Sequence, residues 1–353
     1  MTSARIHHSK PASRRERGLD FGHANAELVA GTVATYRRVF AASRGIDGAG
    51  IRAAGAEVRE RVGRDWPALA DEIAAIAHGS DVDEAELFAV NARTELLAGQ
   101  LRGECSTLAL RNPGQPALMQ NWDWHPDLAP SRIVWVVDHG GGRWFATFTE
   151  AGILAKIGLN SRGLAVCLNL LATDADGGLD GLPLHLALRL ILETCDDAED
   201  VRQLLGDAPM GGSSCITVMT PGGHVAIFEC HPGGPPLEPA VGQEWAAHTN
   251  HFLGALPGGL IDTLRRDWPD TDARLARATA ALAESPAEDD AVAALCDHGD
   301  GPISVCCHDA GNSEFVERQQ TLASIVMHPR DREMLIAWGQ PCSTGYELVP
   351  LPR

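Results

Sequence analysis

No stretch of this chain approaches the roughly eighteen consecutive apolar residues of a membrane-spanning helix, so none is expected. Cationic surplus is also missing. With 353 residues and a formal net charge of −18, the chain lacks the basic patches that nucleic-acid backbones and anionic membranes require, and neither is expected as a partner. There is no Gly-x-x-x-x-Gly-Lys loop and no Rossmann fingerprint, so no nucleotide or other cofactor is expected. The absence of a Gly-x-Ser-x-Gly elbow leaves a Ser-His-Asp hydrolase unsupported. Cys-x-x-Cys and His-Glu-x-x-His spacings are absent, and no metal is expected. Nine cysteines form an odd set without framework spacing, which points to reduced thiols. The first twenty residues carry Arg14-Arg15 but no apolar run after them, so no signal peptide is read and a cytoplasmic location is expected. His7-His8 reads as part of a mobile arm, too short for a metal tract.

What is present is an ordinary globular composition, 44% hydrophobic and 22% charged, with enough length for a large core. The most informative stretch is Gly103-Glu104-Cys105-Ser106-Thr107 followed by Gln120-Asn121-Trp122-Asp123-Trp124. Between them Asn112-Pro113-Gly114-Gln115 carries turn chemistry flanked by apolar runs, which predicts a β-hairpin. A pivot near residue 114 sets Cys105 opposite Asp123, within one residue of register, and brings a carboxylate beside a thiol. Side-chain alternation then puts Asn121 and Asp123 on one face and Trp122 and Trp124 on the other, toward a helix or a second sheet.

A cysteine that opens a strand after a polar lead-in points to self-cleavage. Its thiol attacks the Glu104 carbonyl, an N→S acyl shift gives a thioester, and water releases a new N-terminal cysteine. The freed α-amine, with a pKa of about 7.7–8.0, serves as general base to its own thiol.

Arg93-Thr94-Glu95-Leu96, Cys105-Ser106-Thr107, Gln120-Asn121-Trp122-Asp123 and His248-Thr249-Asn250-His251-Phe252 together resemble the acyl-CoA:6-aminopenicillanic acid acyltransferase (isopenicillin N acyltransferase)-like family, autoproteolytic cysteine enzymes of the N-terminal-nucleophile hydrolase superfamily. Ser304-Val305-Cys306-Cys307-His308, Thr321 to Met327 and Gly339-Gln340-Pro341-Cys342 follow in the family's order. The resemblance implies that Cys105 is the nucleophile, that Asp123 orients or charge-balances the new amine, and that Asn250 donates to the oxyanion. Two departures stand out: Glu104 precedes the nucleophile where the family often has glycine, and Cys307 occupies a position often held by arginine.

The expected fold is α+β, a four-layer αββα sandwich of the N-terminal-nucleophile hydrolase type with a helical N-terminal segment. Residues 1–104 form that mainly helical segment, with helices over Glu27 to Ala42, Gly50 to Arg61, Trp66 to His78 and Asp83 to Ala98. Residues 105–353 form the sandwich, with strands including Gly152–Ile157 and Ile303–Cys307 and helical blocks at Leu184–Leu205 and Asp272–Glu284. The expected function is a self-processing cysteine amidohydrolase or acyltransferase on small N-acyl amides, working through a Cys105 thioester, with both cleaved chains staying associated. Water as acceptor is favoured because it is always present. A dedicated acyltransferase with an acyl thioester donor and an amine acceptor is the alternative. A further alternative is a non-catalytic or zinc-dependent binding protein, drawing on His125, His231, His248, His251, His298 and His308 with Cys306. The acyl group, the use of CoA thioesters and any homo-oligomer are left open.

Overall fold

The computed structural model describes residues 5–100, 105–112, 114–301, 303–311 and 314–352. In chain order, β1 (Ile6–Ser9) leads into α1 (Arg14–Ala24), α2 (Ala26–Arg44), α3 (Gly48–Asp65), α4 (Pro67–Ser80), α5 (Glu84–Asn91) and α6 (Arg93–Leu97). Strands β2 (Cys105–Leu110), β3 (Ala117–Trp124), β4 (Arg132–Gly140), β5 (Arg143–Glu150), β6 (Ile157–Asn160) and β7 (Ala165–Leu170) follow. Then come α7 (Leu184–Thr194), α8 (Ala198–Asp207), β8 (Ser214–Met219), β9 (Val225–Cys230) and β10 (Trp245–His248). The chain closes with α9 (Thr263–Asp267), α10 (Asp270–Glu284), α11 (Glu288–Leu295), β11 (Gln320–His328), β12 (Glu333–Ala337) and β13 (Glu347–Leu348).

The strands form a seven-stranded sheet in the order β1-β4-β5-β6-β7-β8-β9 and a six-stranded sheet in the order β10-β2-β3-β11-β12-β13. Strands β2 and β3 pack on β7, α7 covers β5, β6 and β7, and α10 and α11 cover β2, so the layers run helix, sheet, sheet, helix. This is the expected αββα sandwich. One apolar cluster runs from the sheets into the N-terminal helices, uniting Val29, Tyr36 and Phe88 with Ile133, Phe148 and Leu188, and a second, with Leu108, Met119, Leu282 and Leu295, joins the six-stranded sheet to α10 and α11. Where α1 crosses α4 the backbones approach so closely that a Cβ on Gly22 would lie 2.5 Å from the Ile76 carbonyl oxygen, so glycine is required there. Among the described residues no helix is long and apolar enough to cross a membrane.

Four local expectations are corrected. His7-His8 is not a mobile arm: β1 pairs in parallel with β4, and Ser13 with Glu16 forms a capping box that starts α1 immediately after it. The strand expected over Gly152–Ile157 starts only at Ile157, because Gly152 at φ +99° turns the chain first. The apolar stretch from Ile303 to Cys307 is not a strand. Its backbone bonds go singly, Cys306 N–H to the Asp297 carbonyl at 3.0 Å and the Cys307 carbonyl to Thr321 N–H at 2.9 Å.

The fourth correction concerns the carboxylate expected beside the thiol, because the hairpin register falls within the one residue allowed but on the side that turns Asp123 away. The turn closes with the Gln115 N–H on the Asn112 carbonyl at 3.1 Å, and Leu110 pairs with Ala117. Cys105 therefore lies opposite Trp122 rather than Asp123. Because faces alternate, that shift decides which layer each side chain meets.

Candidate active site

Strands β2 and β3 carry two functional faces. Toward the other sheet point Cys105, Thr107, Gln120 and Trp122: Thr107 Oγ1 donates to Asn169 Oδ1 of β7 at 2.8 Å, and the Trp122 ring meets Phe148 of β5 edge-on at 5.5 Å. Toward the helices point Ser106, Asn121 and Asp123. Asn121 Nδ2 donates to the Leu295 and Val305 carbonyls, both at 2.8 Å. The Asp123 carboxylate is thus on the opposite face from the Cys105 thiol, not beside it, and accepts a 2.5 Å hydrogen bond from Thr321 Oγ1 of β11.

The Cys105 backbone is clamped by three side chains. Its N–H donates to Asn250 Oδ1 at 2.9 Å, and its carbonyl accepts from Asn169 Nδ2 at 2.9 Å and from Arg274 Nη1 at 3.2 Å. Arg274 also donates to Asn250 Oδ1 at 3.0 Å and Ser106 Oγ at 3.3 Å. An N–H and a guanidinium both face that Asn250 atom, so it must be the oxygen. The amide nitrogen of Asn250 then points to the Leu170 carbonyl at 2.9 Å. Asn250 lies against Cys105 as expected, yet what it presents to the nucleophile's backbone is an acceptor.

The segment holding Asn250 is pinned at both ends. Asn250 N–H donates to Thr271 Oγ1 of α10 at 2.8 Å, while Glu229 of β9 receives His248 Nε2 at 2.8 Å and the Leu253 and Gly254 N–H groups at 2.7 and 2.8 Å. Glu104 and the bond it makes to Cys105 lie outside the described residues.

Burial, followed by the Asp123 charge, pushes the Cys105 thiol up to about 12, against relief from the Asp123 backbone N–H, Arg274 and Lys156. Lys156 is fully buried, paired with Glu150, and sits 4.0 Å over the Trp122 ring. Burial, then Arg93, lowers it to about 7, and it and the Cys105 thiolate stabilise one another. For Glu150, burial acts upward, but Lys156 and Arg93 outweigh it and hold the carboxyl below its ordinary value. Tyr36 of α2 donates to Glu150 at 2.6 Å and accepts from Trp124 Nε1 at 3.1 Å.

The Arg93-to-Leu96 motif is structural support for this arrangement. The Arg93 guanidinium lies 4.4 Å over Trp124, and Glu95 accepts the Leu184 N–H at 2.8 Å, which caps α7. Burial raises the Glu95 carboxyl to about 7.

Sequence reasoning did not single out Arg274, Lys156, Asn169 or Thr321. Arg274 had a detectable signal: Thr271, Arg274, Ala278 and Leu282 recur at helical spacing as the buried stripe of α10, and an arginine on such a stripe needs partners. Lys156 is likewise a lone cation inside the apolar run from Ala151 to Leu159. Of the histidines weighed for zinc, His125, His231, His248 and His251 go to separate polar partners, whereas His298, His308 and Cys306 converge with Cys342.

Residues 110–343 match the family described as acyl-coenzyme A:6-aminopenicillanic acid acyl-transferase. The chain is 30% identical over 291 residues to the acyl-coenzyme A:6-aminopenicillanic-acid-acyltransferase 40 kDa form of Emericella nidulans, covering 81% of this chain and 79% of that protein. Among solved structures it is similar to penicillin V acylase from Agrobacterium tumefaciens, with a TM-score of 0.45 and 13% identity over 69% of this chain and 85% of that one. It is also similar to a mutant of conjugated bile acid hydrolase from Clostridium perfringens, with a TM-score of 0.47 and 10% identity over 70% of this chain and 97% of that one.

Proposed function

This chain belongs to the acyl-coenzyme A:6-aminopenicillanic acid acyl-transferase family, and from that premise we propose that it is a self-processing cysteine amidohydrolase or acyltransferase acting on small N-acyl amides through a Cys105 thioester. The observation that carries this reading is the clamp on Cys105: a buried cysteine opening a central strand, its N–H held by Asn250 and its carbonyl by Asn169 and Arg274. Buried peptide groups always need partners, but in a strand a neighbouring backbone normally supplies them, and here three polar side chains, one a guanidinium, do so at the residue that carries the thiol.

In processing, the Cys105 sulfur attacks the Glu104 carbonyl, the thiol proton passes to the departing amide nitrogen, and a thioester joins Glu104 to the sulfur. Asn250 Oδ1 holds that nitrogen in place while its bond to Glu104 breaks. Water then cleaves the thioester to a Glu104 carboxylate and a free Cys105 thiol. Asp123 follows Trp122, the residue paired with Cys105, and the role assigned to its carboxylate is to balance the charge of the new ammonium. The segments before and after the cut share one apolar core and one sheet, which supports their staying together.

In turnover the α-amine takes the thiol proton, the sulfur attacks the acyl donor, and the charge on the acyl oxygen meets Asn250 Nδ2, whose amide has two protons of which Leu170 takes one. Arg274 and Lys156 both act to favour the thiolate and offset part of the cost of its burial. The amine leaves protonated, and water or a second amine resolves the thioester. Hydrolysis remains the favoured outcome. The nine free thiols support a reducing, cytoplasmic setting.

The test is acyl trapping. Processed enzyme incubated with N-acyl amides and acyl thioesters, with and without added amines, should carry an acyl mass on the peptide beginning at Cys105. Product formation indifferent to added amine identifies a hydrolase, and saturable diversion identifies a transferase. Full turnover with the Cys105 thiol blocked would end the thioester reading.

A further inference from the structure

Four ligand-type side chains converge on the outer part of the six-stranded sheet. His298 lies in the loop after α11, Cys306 and His308 lie on the segment leading to β11, and Cys342 lies in the turn after β12. One ligand atom from each falls within 4.8 Å of all the others. Cys306 Sγ is 3.7 Å from Cys342 Sγ and 3.6 Å from His308 Nε2, Cys342 Sγ is 3.4 Å from His308 Nε2, and the His298 and His308 Nε2 atoms are 3.0 Å apart.

We propose that His298, Cys306, His308 and Cys342 bind a zinc ion in a tetrahedral Cys2His2 site. Zinc bonds of about 2.3 Å to sulfur and about 2.0–2.1 Å to nitrogen set tetrahedral edges of about 3.8 Å between sulfurs, about 3.5 Å from sulfur to nitrogen and about 3.3 Å between nitrogens. The three edges among Cys306, His308 and Cys342 match closely, the nitrogen edge needs to open by only about 0.3 Å, and His298 lies within 4.8 Å of both sulfurs and closes on them as the ion binds. Two thiolates and two neutral imidazoles cancel the ion's charge, which suits a half-buried position. A Cys306–Cys342 disulfide would leave unexplained why two imidazole nitrogens converge on the same point.

The ion ties together three segments that share few backbone bonds. One of them bears on the site already described: next to Cys306, the Cys307 N–H donates to Thr321 Oγ1 at 2.9 Å, and Thr321 donates to Asp123. The zinc is a positioning element for that hydroxyl and touches no reacting atom. The spacing His-x7-Cys-x-His with a distant Cys342 matches no short motif, which is why sequence patterns alone do not reveal it.

Elemental analysis of the full-length protein, purified under reductant without chelator, is expected to give about one zinc per chain. Cys342→Ser should lower that to well under half, while His23→Ala, on the exposed side of α1, should leave it unchanged. Cobalt(II) replacing zinc in the wild-type protein should produce thiolate-to-metal charge-transfer absorption, a readout independent of whether any variant folds. The proposal is overturned if the reduced wild-type protein holds no zinc and cobalt gives no thiolate band. Zinc retained in full by Cys342→Ser, or a Cys306–Cys342 disulfide in the peptide map of protein kept reduced, would overturn it equally.

Discussion

Removing the guanidinium of Arg274 tests whether the clamp on Cys105 acts in processing. Its bonds to the Cys105 carbonyl at 3.2 Å and to Asn250 Oδ1 at 3.0 Å both end on the frame that holds the scissile nitrogen. Bonds from a charged donor contribute about 1.5–3 kcal/mol each. These stand below that range, because each acceptor keeps a second donor, Asn169 Nδ2 on the carbonyl and the Cys105 N–H on Asn250. At about 1 kcal/mol apiece, Arg274→Met removes about 2 kcal/mol of positioning, so cleavage slows about 30-fold. Arg274→Lys keeps the charge but not the fork that reaches both acceptors at once, and should fall between the two. Pulse–chase of protein made in a cell-free system follows the appearance of residues 1–104 and 105–353 on gels. Thermal melts of the same variants in a Cys105→Ala background, where the chain stays whole, separate misfolding from slow chemistry. Wild-type cleavage kinetics in Arg274→Met would refute the role assigned to it.

Asn250→Asp separates that residue's two duties: it keeps an acceptor for Cys105 and Arg274, so processing should continue, but it loses the amide donor, so kcat should fall about 10²–10³-fold. Unchanged kcat would remove Asn250 from the oxyanion site. Lys156 makes stability pH-dependent in a set direction. Its folded value is lowered to about 7, against about 10.4 unfolded, so between those values the unfolded chain binds more protons and stability rises with pH, by up to about 1.4 kcal/mol per unit. Denaturant titrations in the Cys105→Ala background should show the wild-type advantage over Lys156→Met growing from pH 7.5 to 9.5. Parallel curves would mean that Lys156 does not carry a lowered value.

The layered fold was legible because its signals are local. Alternating strands, the turn at Asn112 to Gln115 and the capping residue Asp83 lie within a few positions of what they specify. The failures came where a partner distant in sequence decides. An apolar run such as Ile303 to Cys307 reads equally as strand or loop until Thr321 of β11, Asn121 of β3 and Asp297 in the loop after α11 claim its backbone groups singly. A shift of one residue in the hairpin was invisible in the pattern, because both faces of β2 and β3 are buried and neither register exposes an apolar side chain. That shift sent Asp123 to the helical side. Cys105 and Asn250 were found as a pair from their motifs, but Arg274, 24 positions from Asn250, belongs to the site only through the packing of α10 on β10 and β2.

Intact-mass measurement of purified protein after incubation at neutral pH bears most directly on the central claim, that Cys105 cuts the chain before itself and then works as its N-terminal nucleophile. The prediction is two masses, for residues 1–104 and 105–353, co-eluting as one species, and a single inactive full-length mass for Cys105→Ala. A wild-type chain that stays whole yet turns over N-acyl amides, or an active Cys105→Ala protein, would contradict it.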